Sequence, residues 1–163
     1  MTGEHPLWTY NTHPILGIGS MPEESYGFIY QVTHIPTARK YIGKKVLFFE
    51  RNKRLGKKAL AALKEDRKAK GLKGRTPLKQ KIVTESDWKT YYGSHKEILE
   101  LVKEGKHGDF KREILQYVPT KKLLTYYECK YLFIREVLEN RDGYINDNIL
   151  GKFYRKDFFN DKD

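Results

Sequence analysis

The chain has 163 residues, of which 39% are hydrophobic and 13% aromatic, enough to bury the core of one domain. No apolar run approaches the roughly 20 residues that span a bilayer, which argues against a membrane protein. The single cysteine, Cys129, excludes an internal disulfide and a multi-cysteine zinc site. The N-terminus lacks the basic start and apolar centre of a signal peptide, so a cytoplasmic protein is expected.

Residues 1–25 are predicted to form an irregular N-terminal arm. Pro6, Pro14 and Pro22 interrupt this stretch and argue against a long helix. Trp8 is expected to pack the arm onto the domain, although an indole can also stack on a nucleic-acid base.

Residues 26–46 are predicted to form a β-hairpin. Two short apolar and aromatic runs flank a polar connection that contains Pro36. The first run carries Tyr30, and the second carries Tyr41 and Gly43. A glycine at this place lets the backbone come close to another group. Whether the two tyrosines meet depends on the strand register, which sequence alone does not fix.

The net charge of +11 is concentrated in residues 51–81, which carry 13 lysines and arginines against two acids, Glu65 and Asp66. The rest of the chain is neutral. Such a block attracts a polyanion, because contact with phosphates releases condensed counterions. The alternative is a solvated loop that serves solubility. The candidate DNA-binding residues are Lys44, Lys45, Arg54, Lys57, Lys58, Arg67, Lys68, Lys73 and Arg75.

Four further elements follow from apolar periodicity and from helix start and stop signals. They are a helix at 55–70, a helix at 94–104, a strand at 110–118 and a helix at 121–139. Glu128 lies at the margin of the apolar stripe of the last helix. A carboxylate in such a place is either a functional group or the partner of a buried arginine.

The hairpin resembles the two-part signature of the GIY-YIG nuclease family. The first half reads Gly27-Phe28-Ile29-Tyr30, with Phe28 as one extra residue, and the second half reads Tyr41-Ile42-Gly43. The resemblance implies an α+β fold with a small three-stranded antiparallel sheet flanked by helices. The nuclease domain is expected at residues 26–148, with a basic helical insertion at about 56–83 and a C-terminal tail at 149–163.

The resemblance also assigns catalytic roles on and after the hairpin. Tyr30 is expected to orient a water and accept its proton, with its pKa lowered by the nearby cations. Tyr41 is expected to hold the geometry of the site. Arg51 corresponds to an arginine that the family carries on a helix after the second strand, with Arg54 and Lys45 as alternatives.

Three more site residues follow from the resemblance. Glu128 matches the glutamate that binds the catalytic metal, for which Mg²⁺ or Mn²⁺ is expected because a lone carboxylate with waters and phosphate oxygens suits a hard ion. The remaining two positions each leave alternatives open. These are Tyr92, with Tyr91 and His95 as alternatives, and Asn146, with Asn148 as the alternative.

The sequence thus predicts a metal-dependent DNA endonuclease, similar to the free-standing homing enzymes of bacteriophages, which act in the bacterial cytoplasm. A homodimer is compatible with an enzyme that cuts both strands. The alternative is a non-catalytic, basic nucleic-acid-binding domain, a degenerate member of the family. The two readings differ in one spatial expectation. An enzyme must bring Tyr30, Tyr41, Arg51 and Glu128 into one pocket, with Glu128 on the same side of the sheet as Tyr30.

Overall fold

The computed structural model describes residues 4–159, which separate into two compact units. The main unit comprises the described residues up to Leu47 and from Asp87 onward, and the basic unit is Phe48–Ser86. The strands are β1 Thr9–Tyr10, β2 His13–Pro14, β3 Gly27–His34, β4 Arg39–Val46, β5 Phe48–Arg54, β6 Lys79–Glu85, β7 Phe110–Val118, β8 Asn148–Ile149 and β9 Phe153–Tyr154. The helices are α1 Lys57–Ala69, α2 Lys96–Lys103 and α3 Lys121–Ile134.

The sheet of the main unit has five strands in the order β2-β1-β7-β3-β4. The three central strands form the predicted antiparallel sheet, because β3 pairs antiparallel with both β4 and β7. The predicted sheet of three strands was smaller than the observed sheet of five. The N-terminal arm, expected to be irregular, adds β1 in parallel to β7 and then β2. This pairing satisfies backbone groups that would otherwise form an open edge on β7.

Helix α3 packs on one face of the sheet. Leu124 and Leu132 of α3 form a buried cluster with Ile29 of β3 and Ile42 of β4. The helix was predicted to run to residue 139 but ends at Ile134, because Glu136 adopts a left-handed conformation with φ of +48°. A left-handed residue just past the last turn ends a helix. The chain then turns inward, and Val137 and Leu138 join the same core.

The opposite face is covered by aromatic rings from the arm and from the segment before α2. Trp8 lies edge-on to Phe28 and Tyr30, with ring centroids 5.1 and 5.4 Å apart. The indole of Trp8 donates a hydrogen bond of 2.7 Å to the carbonyl of Trp88. Edge-to-face contacts of this kind stabilise a core beyond the area they bury. The expectation that Trp8 packs the arm onto the domain is confirmed.

Arg112 ties three segments together inside this aromatic layer. Its guanidinium donates hydrogen bonds to the carbonyls of Pro6, Lys89 and Tyr91. The group also lies between the rings of Trp8 and Tyr92, 4.8 and 4.2 Å from their centroids. Burial lowers the pKa of Arg112 to about 10, so it stays charged at neutral pH. Carbonyl oxygens and aromatic faces thus compensate a buried cation without a carboxylate.

The basic unit consists of the antiparallel hairpin β5–β6 with α1 in its connection. Helix α1 confirms the predicted helix at 55–70 within two residues, and it contains no buried residue. The segment that carries Arg51 was expected to be helical by resemblance but is strand β5, with Arg51 opposite Ile82. The β-branched run of Ile82, Val83 and Thr84 favours this pairing. Across residues 4–159, no helix has both the length and the apolarity of a membrane span.

Replacement of Arg112 by methionine should destabilise the main unit by about 3 kcal/mol, because three carbonyls lose charged donors and keep their burial. Urea unfolding followed by tryptophan fluorescence measures the change. Arg135→Met, at an exposed arginine, is the matched control and should stay within about 0.5 kcal/mol of the wild type. Equal unfolding midpoints for the two variants would show that Arg112 does not organise this layer.

Candidate active site

The ring of Tyr30 lies across Gly43 on the neighbouring strand. The register of β3 and β4 pairs these two residues, so they share one face of the sheet. A Cβ atom at Gly43 would lie 2.7 Å from Cζ of Tyr30 and closer still to its hydroxyl. Only a glycine leaves room for the phenol at this point. Because β4 is the last strand of the sheet, the Tyr30 hydroxyl is carried toward the sheet edge.

A loop from the segment before α2 covers the two phenols. Gly93 has a φ of +109°, and a Cβ atom there would lie 3.0 Å from Tyr41 and 3.2 Å from the Tyr30 hydroxyl. The rings of Tyr30 and Tyr41 have centroids 6.3 Å apart. The hydroxyl of Tyr41 lies 3.4 Å from Oγ of Ser94 in the same loop. The register therefore does bring the two tyrosines of the hairpin together.

Glu128 reaches the same edge from α3. Its carboxylate lies 3.2 Å from the ammonium of Lys44, which also donates a 2.9 Å hydrogen bond to Thr125. The Glu128 side chain is 19% exposed. A pocket of about 330 Å³ opens here, and its lining includes Tyr41, Lys44, Glu128 and Asn146. A phenol, an ammonium and a carboxylate thus line one solvent-accessible pocket.

The expectation that Glu128 and Tyr30 lie on the same side of the sheet was wrong. Ile29 and Ile42 pack under α3, whereas Tyr30 packs with Trp8 on the other face. Tyr41, on the Tyr30 face, and Glu128 line one pocket at the β4 edge instead, since no further full strand separates the faces there. The charge of Glu128 contributes to the raised pKa of both Tyr30 and Tyr41. The site is therefore built around an edge strand and not on a face.

Asn146 anchors the loop that forms one wall of the pocket. Its side-chain amide accepts a 3.0 Å hydrogen bond from the Ile42 nitrogen and donates a 2.8 Å bond to the Ile42 oxygen. The side chain is buried and takes the place of a neighbouring strand beside β4. The alternative, Asn148, instead bonds to Asp147 and caps the turn at Gly151. Both asparagines line the pocket. Asn146 also fixes the loop of the pocket wall to β4 through its hydrogen bonds to Ile42.

The three candidate site residues on the segment before α2 lie in different surroundings in the structure. Tyr92 is buried beneath the N-terminal arm, where its hydroxyl lies 3.0 Å from Nδ1 of His5. Tyr91 lies edge-on to Tyr30, with centroids 5.8 Å apart. His95 lies 5.9 Å from the Tyr41 ring. The alternatives Tyr91 and His95 are thus the residues beside the two phenols, whereas Tyr92 belongs to the aromatic layer around Arg112.

Lys45 has a different environment from Lys44. Its side chain is 9% exposed, and its ammonium lies 2.5 Å from the carboxylate of Asp87 and 3.9 Å from the centre of the Tyr91 ring. The ammonium lowers the pKa of Asp87. This ion pair holds Tyr91 against Tyr30, a contact that sequence reasoning missed because nothing in the spacing links position 45 to positions 87 and 91. The prediction that Lys45 binds DNA stays a prediction, but its charge is already paired here.

Arg51 and most of the predicted DNA-binding residues belong to the basic unit. Arg51 is exposed on β5 of the basic unit. Among residues 4–159, those that line the pocket of the main unit include no arginine. The other seven candidates in this unit are exposed or half-exposed. They are Arg54, Lys57, Lys58, Arg67, Lys68, Lys73 and Arg75. Their roles stay predictions, as does that of Arg51.

Both phenols hold their protons at neutral pH. Burial, followed by the neighbouring Tyr91 and Tyr41, raises the pKa of Tyr30 well above 10. Burial also raises the pKa of Tyr41, against a hydrogen bond with Ser94 that favours the phenolate. The expected lowering of the Tyr30 pKa by nearby cations is therefore not found, because Lys44 is paired with Glu128 and Lys45 with Asp87. Desolvation dominates the pKa of a buried phenol.

Two carboxylates line the pocket at this edge, Glu128 and Asp147, and that of Asp147 lies 3.5 Å from Nε2 of His95. Within residues 4–159 no group of three or more histidine, cysteine, aspartate and glutamate side chains forms a metal site. Glu128 offers a hard oxygen ligand at the pocket, next to Lys44, whose ammonium is also held by Thr125. This donor set fits Mg²⁺ or Mn²⁺ when waters and phosphate oxygens complete the coordination.

Comparison with known protein families agrees with this architecture. A family model matches residues 8–149, and the chain therefore belongs to the GIY-YIG nuclease family, a family of endonucleases. The particular model is described as "Putative endonuclease segE, GIY-YIG domain". In the same comparisons, no curated protein and no solved structure matches the chain.

Replacement of Gly43 by alanine should destabilise the main unit by about 1–3 kcal/mol, because the new methyl group must displace the Tyr30 ring. Gly19→Ala is the matched control, since its Cβ atom would meet nothing within 4 Å. Chemical unfolding of both variants, together with near-UV circular dichroism of the aromatic layer, tests this contact. A Gly43→Ala protein as stable as the Gly19→Ala protein would contradict it.

Proposed function

We propose that the protein is a metal-dependent endonuclease that hydrolyses phosphodiester bonds of DNA at the β4 edge. The observation that carries the proposal is the common pocket of Tyr41, Lys44 and Glu128 in a member of an endonuclease family. The excess of positive charge in the basic unit supports a polyanionic substrate. The free-standing phage homing type, the bacterial cytoplasm and a homodimer are part of this proposal and rest on the resemblance of the signature residues.

Glu128 would hold Mg²⁺ or Mn²⁺, with waters and phosphate oxygens as the other ligands. When bound, such an ion stabilises negative charge on the phosphate and the leaving oxygen. Lys44, whose ammonium would be released from Glu128 if that carboxylate held an ion, would bind the substrate phosphate while it donates its hydrogen bond to Thr125. Arg51 is proposed, from the resemblance alone, to add positive charge to the transition state.

Tyr41 is the phenol that we assign to the attacking water. It lines the pocket, and its hydroxyl lies within hydrogen-bond distance of Ser94, which lines the same pocket. The phenol oxygen can therefore accept a proton from the attacking water while its own proton passes to Ser94 Oγ and the Ser94 proton passes to solvent in the pocket. Tyr30 is buried under Gly93 and acts as a positioning residue for Tyr41. The sequence-based expectation gave the water to Tyr30 and the positioning role to Tyr41. The proposal exchanges these roles, because Tyr30 is buried whereas Tyr41 lines the pocket.

Replacement of Glu128 by glutamine should reduce the Mg²⁺-dependent nicking of supercoiled plasmid by at least about 100-fold, because the less exposed of the two carboxylates that line the pocket becomes neutral. DNA binding measured without metal should stay within about twofold of the wild type. Glu139→Gln, at an exposed glutamate beyond α3, is the matched control and should nick normally. A parallel reaction with a chelator separates metal-dependent cleavage from cleavage by a contaminant that needs no metal.

Absence of nicking by the wild-type protein, with intact DNA binding, would support the alternative of a non-catalytic nucleic-acid-binding domain. Full activity of Glu128→Gln would instead remove the carboxylate from the mechanism while leaving the enzyme class in place. The two outcomes are distinguishable in one experiment.

Tyr41→Phe should lose about 100-fold in single-turnover nicking, and Tyr30→Phe only about tenfold. Because the pKa values of both phenols are raised above 10, each phenol stays protonated as the pH rises from 6 to 9. The loss in Tyr41→Phe should therefore be the same across this range. A loss that grows with pH would show that a phenolate with a lowered pKa is the active form, and the pH profile of each variant measures this directly.

A further inference from the structure

A second, strongly basic pocket lies in the main unit, outside the candidate active site. Its volume is about 590 Å³. It is lined by Arg39 at the start of β4, by Arg141 and Asp142 after α3, and by Arg155, Lys156 and Phe159 near the end of the described chain. Four cations thus face one acid in a space that can hold a phosphate group.

Two of the three arginines of this pocket are held by hydrogen bonds to backbone carbonyls. Arg155 donates hydrogen bonds to the carbonyls of Val137 and Leu138, at 2.7 and 3.2 Å. Arg39 donates to the carbonyl of Tyr144, at 3.4 Å. Burial and the charges of Arg39 and Arg141 lower the pKa of Arg155, against the opposing charge of Asp147. Gathering like charges in this way costs free energy unless an anion offsets it.

The carboxylates around the pocket do not neutralise it. Arg39 pairs with Glu97 at 3.4 Å, and both side chains are partly exposed. Within residues 4–159, the ion pairs of the structure include none for Arg141, Arg155 or Lys156. The ring of Phe159 lies 5.7 Å from the Arg141 guanidinium, which keeps the planar group oriented. Arginines in a fixed fork geometry are the groups that bind phosphate oxygens in pairs.

The basic pocket and the candidate active site each include a residue of β4, Arg39 in the first and Tyr41 in the second. Arg39 and Tyr41 are two residues apart on one strand, so their side chains share a face and lie roughly 7 Å apart. Glu97, the partner of Arg39, also lines a groove of about 560 Å³ together with Tyr41. This groove includes two further carboxylates, those of Glu100 and Asp147, so the nearest group of cations along this edge is that of the basic pocket. A strand whose scissile phosphate lies at Tyr41 would therefore extend toward the basic pocket.

We propose that this pocket binds a backbone phosphate of the DNA substrate, next to the bond that is cut, and so fixes the strand in the active site. The proposal rests on the proposed endonuclease function. The candidate DNA-binding residues did not include these four cations, because they lie at three separate places in the sequence. Phosphate contacts position a nucleic acid without reading its bases, so the pocket contributes affinity and orientation but no sequence preference.

The test compares two double variants of equal charge. Arg141→Gln/Lys156→Gln removes two pocket cations that make no hydrogen bond to the core among those described, and leaves Arg39 and Arg155 to hold the fold. Lys103→Gln/Arg135→Gln removes one lysine and one arginine at exposed positions outside the pocket and is the control. Fluorescence anisotropy of a short DNA duplex, with a chelator present, gives the dissociation constant at several salt concentrations.

The pocket variant should bind the duplex about tenfold more weakly than the control variant at low salt. Loss of one phosphate contact should also reduce the slope of log K against log salt by about 0.9, while the control keeps more of the wild-type slope. Equal affinities and slopes for the two variants would overturn the proposal. So would a wild-type protein that does not bind DNA. A wild type that binds DNA but does not nick it defeats the endonuclease function, and the comparison of slopes still decides the phosphate site.

Discussion

The contact between the Tyr30 ring and Gly43 is the constraint on which the site depends. Because residue 43 has no side chain, the phenol crosses the last strand of the sheet and ends at its edge. The loop at Gly93 then closes over both phenols, and Tyr91 packs against the Tyr30 ring. Any side chain at position 43 would push the ring off the strand, and the loop would lose the surface on which it rests.

An exposed edge strand would normally be a liability, since its unpaired backbone groups invite pairing with another chain. Here the edge is covered in part by side-chain hydrogen bonds from Asn146 to both backbone groups of Ile42. The same cover keeps space open for a substrate between β4 and the loop. The edge thus serves as the place where groups from both faces meet, Tyr41 from one and Glu128 from the other.

Charge is organised at two levels in this protein. The basic unit carries the net charge of the chain in a block that is visible in the sequence. The residues outside 51–81 are neutral in sum, yet the fold of the main unit collects Arg39, Arg141, Arg155 and Lys156 around one pocket. Local charge density, and not net charge, determines where a phosphate can bind, because the interaction between charges near the protein surface decays within about 10 Å at moderate salt.

The local pattern of the sequence determined the hairpin, the third strand at 110–118, helix α1 and the start of α3 at Thr120. Those features depend on side-chain alternation, caps and glycines within a few residues. The resemblance of the signature residues to the GIY-YIG family was equally local, and the family match confirms it. The end of α3 was missed because a left-handed Glu136 has no signal in composition.

Tertiary structure alone decided the rest. The arm became two strands because β7 offered it a free edge, and Arg51 lies on a strand because β6 pairs with its segment. The pKa of Tyr30 is raised and not lowered, since burial outweighs cations that already have partners. Each of these outcomes depends on contacts between residues far apart in the chain. A sequence states which groups are present, but only the packed chain sets the distances and burial that govern their chemistry.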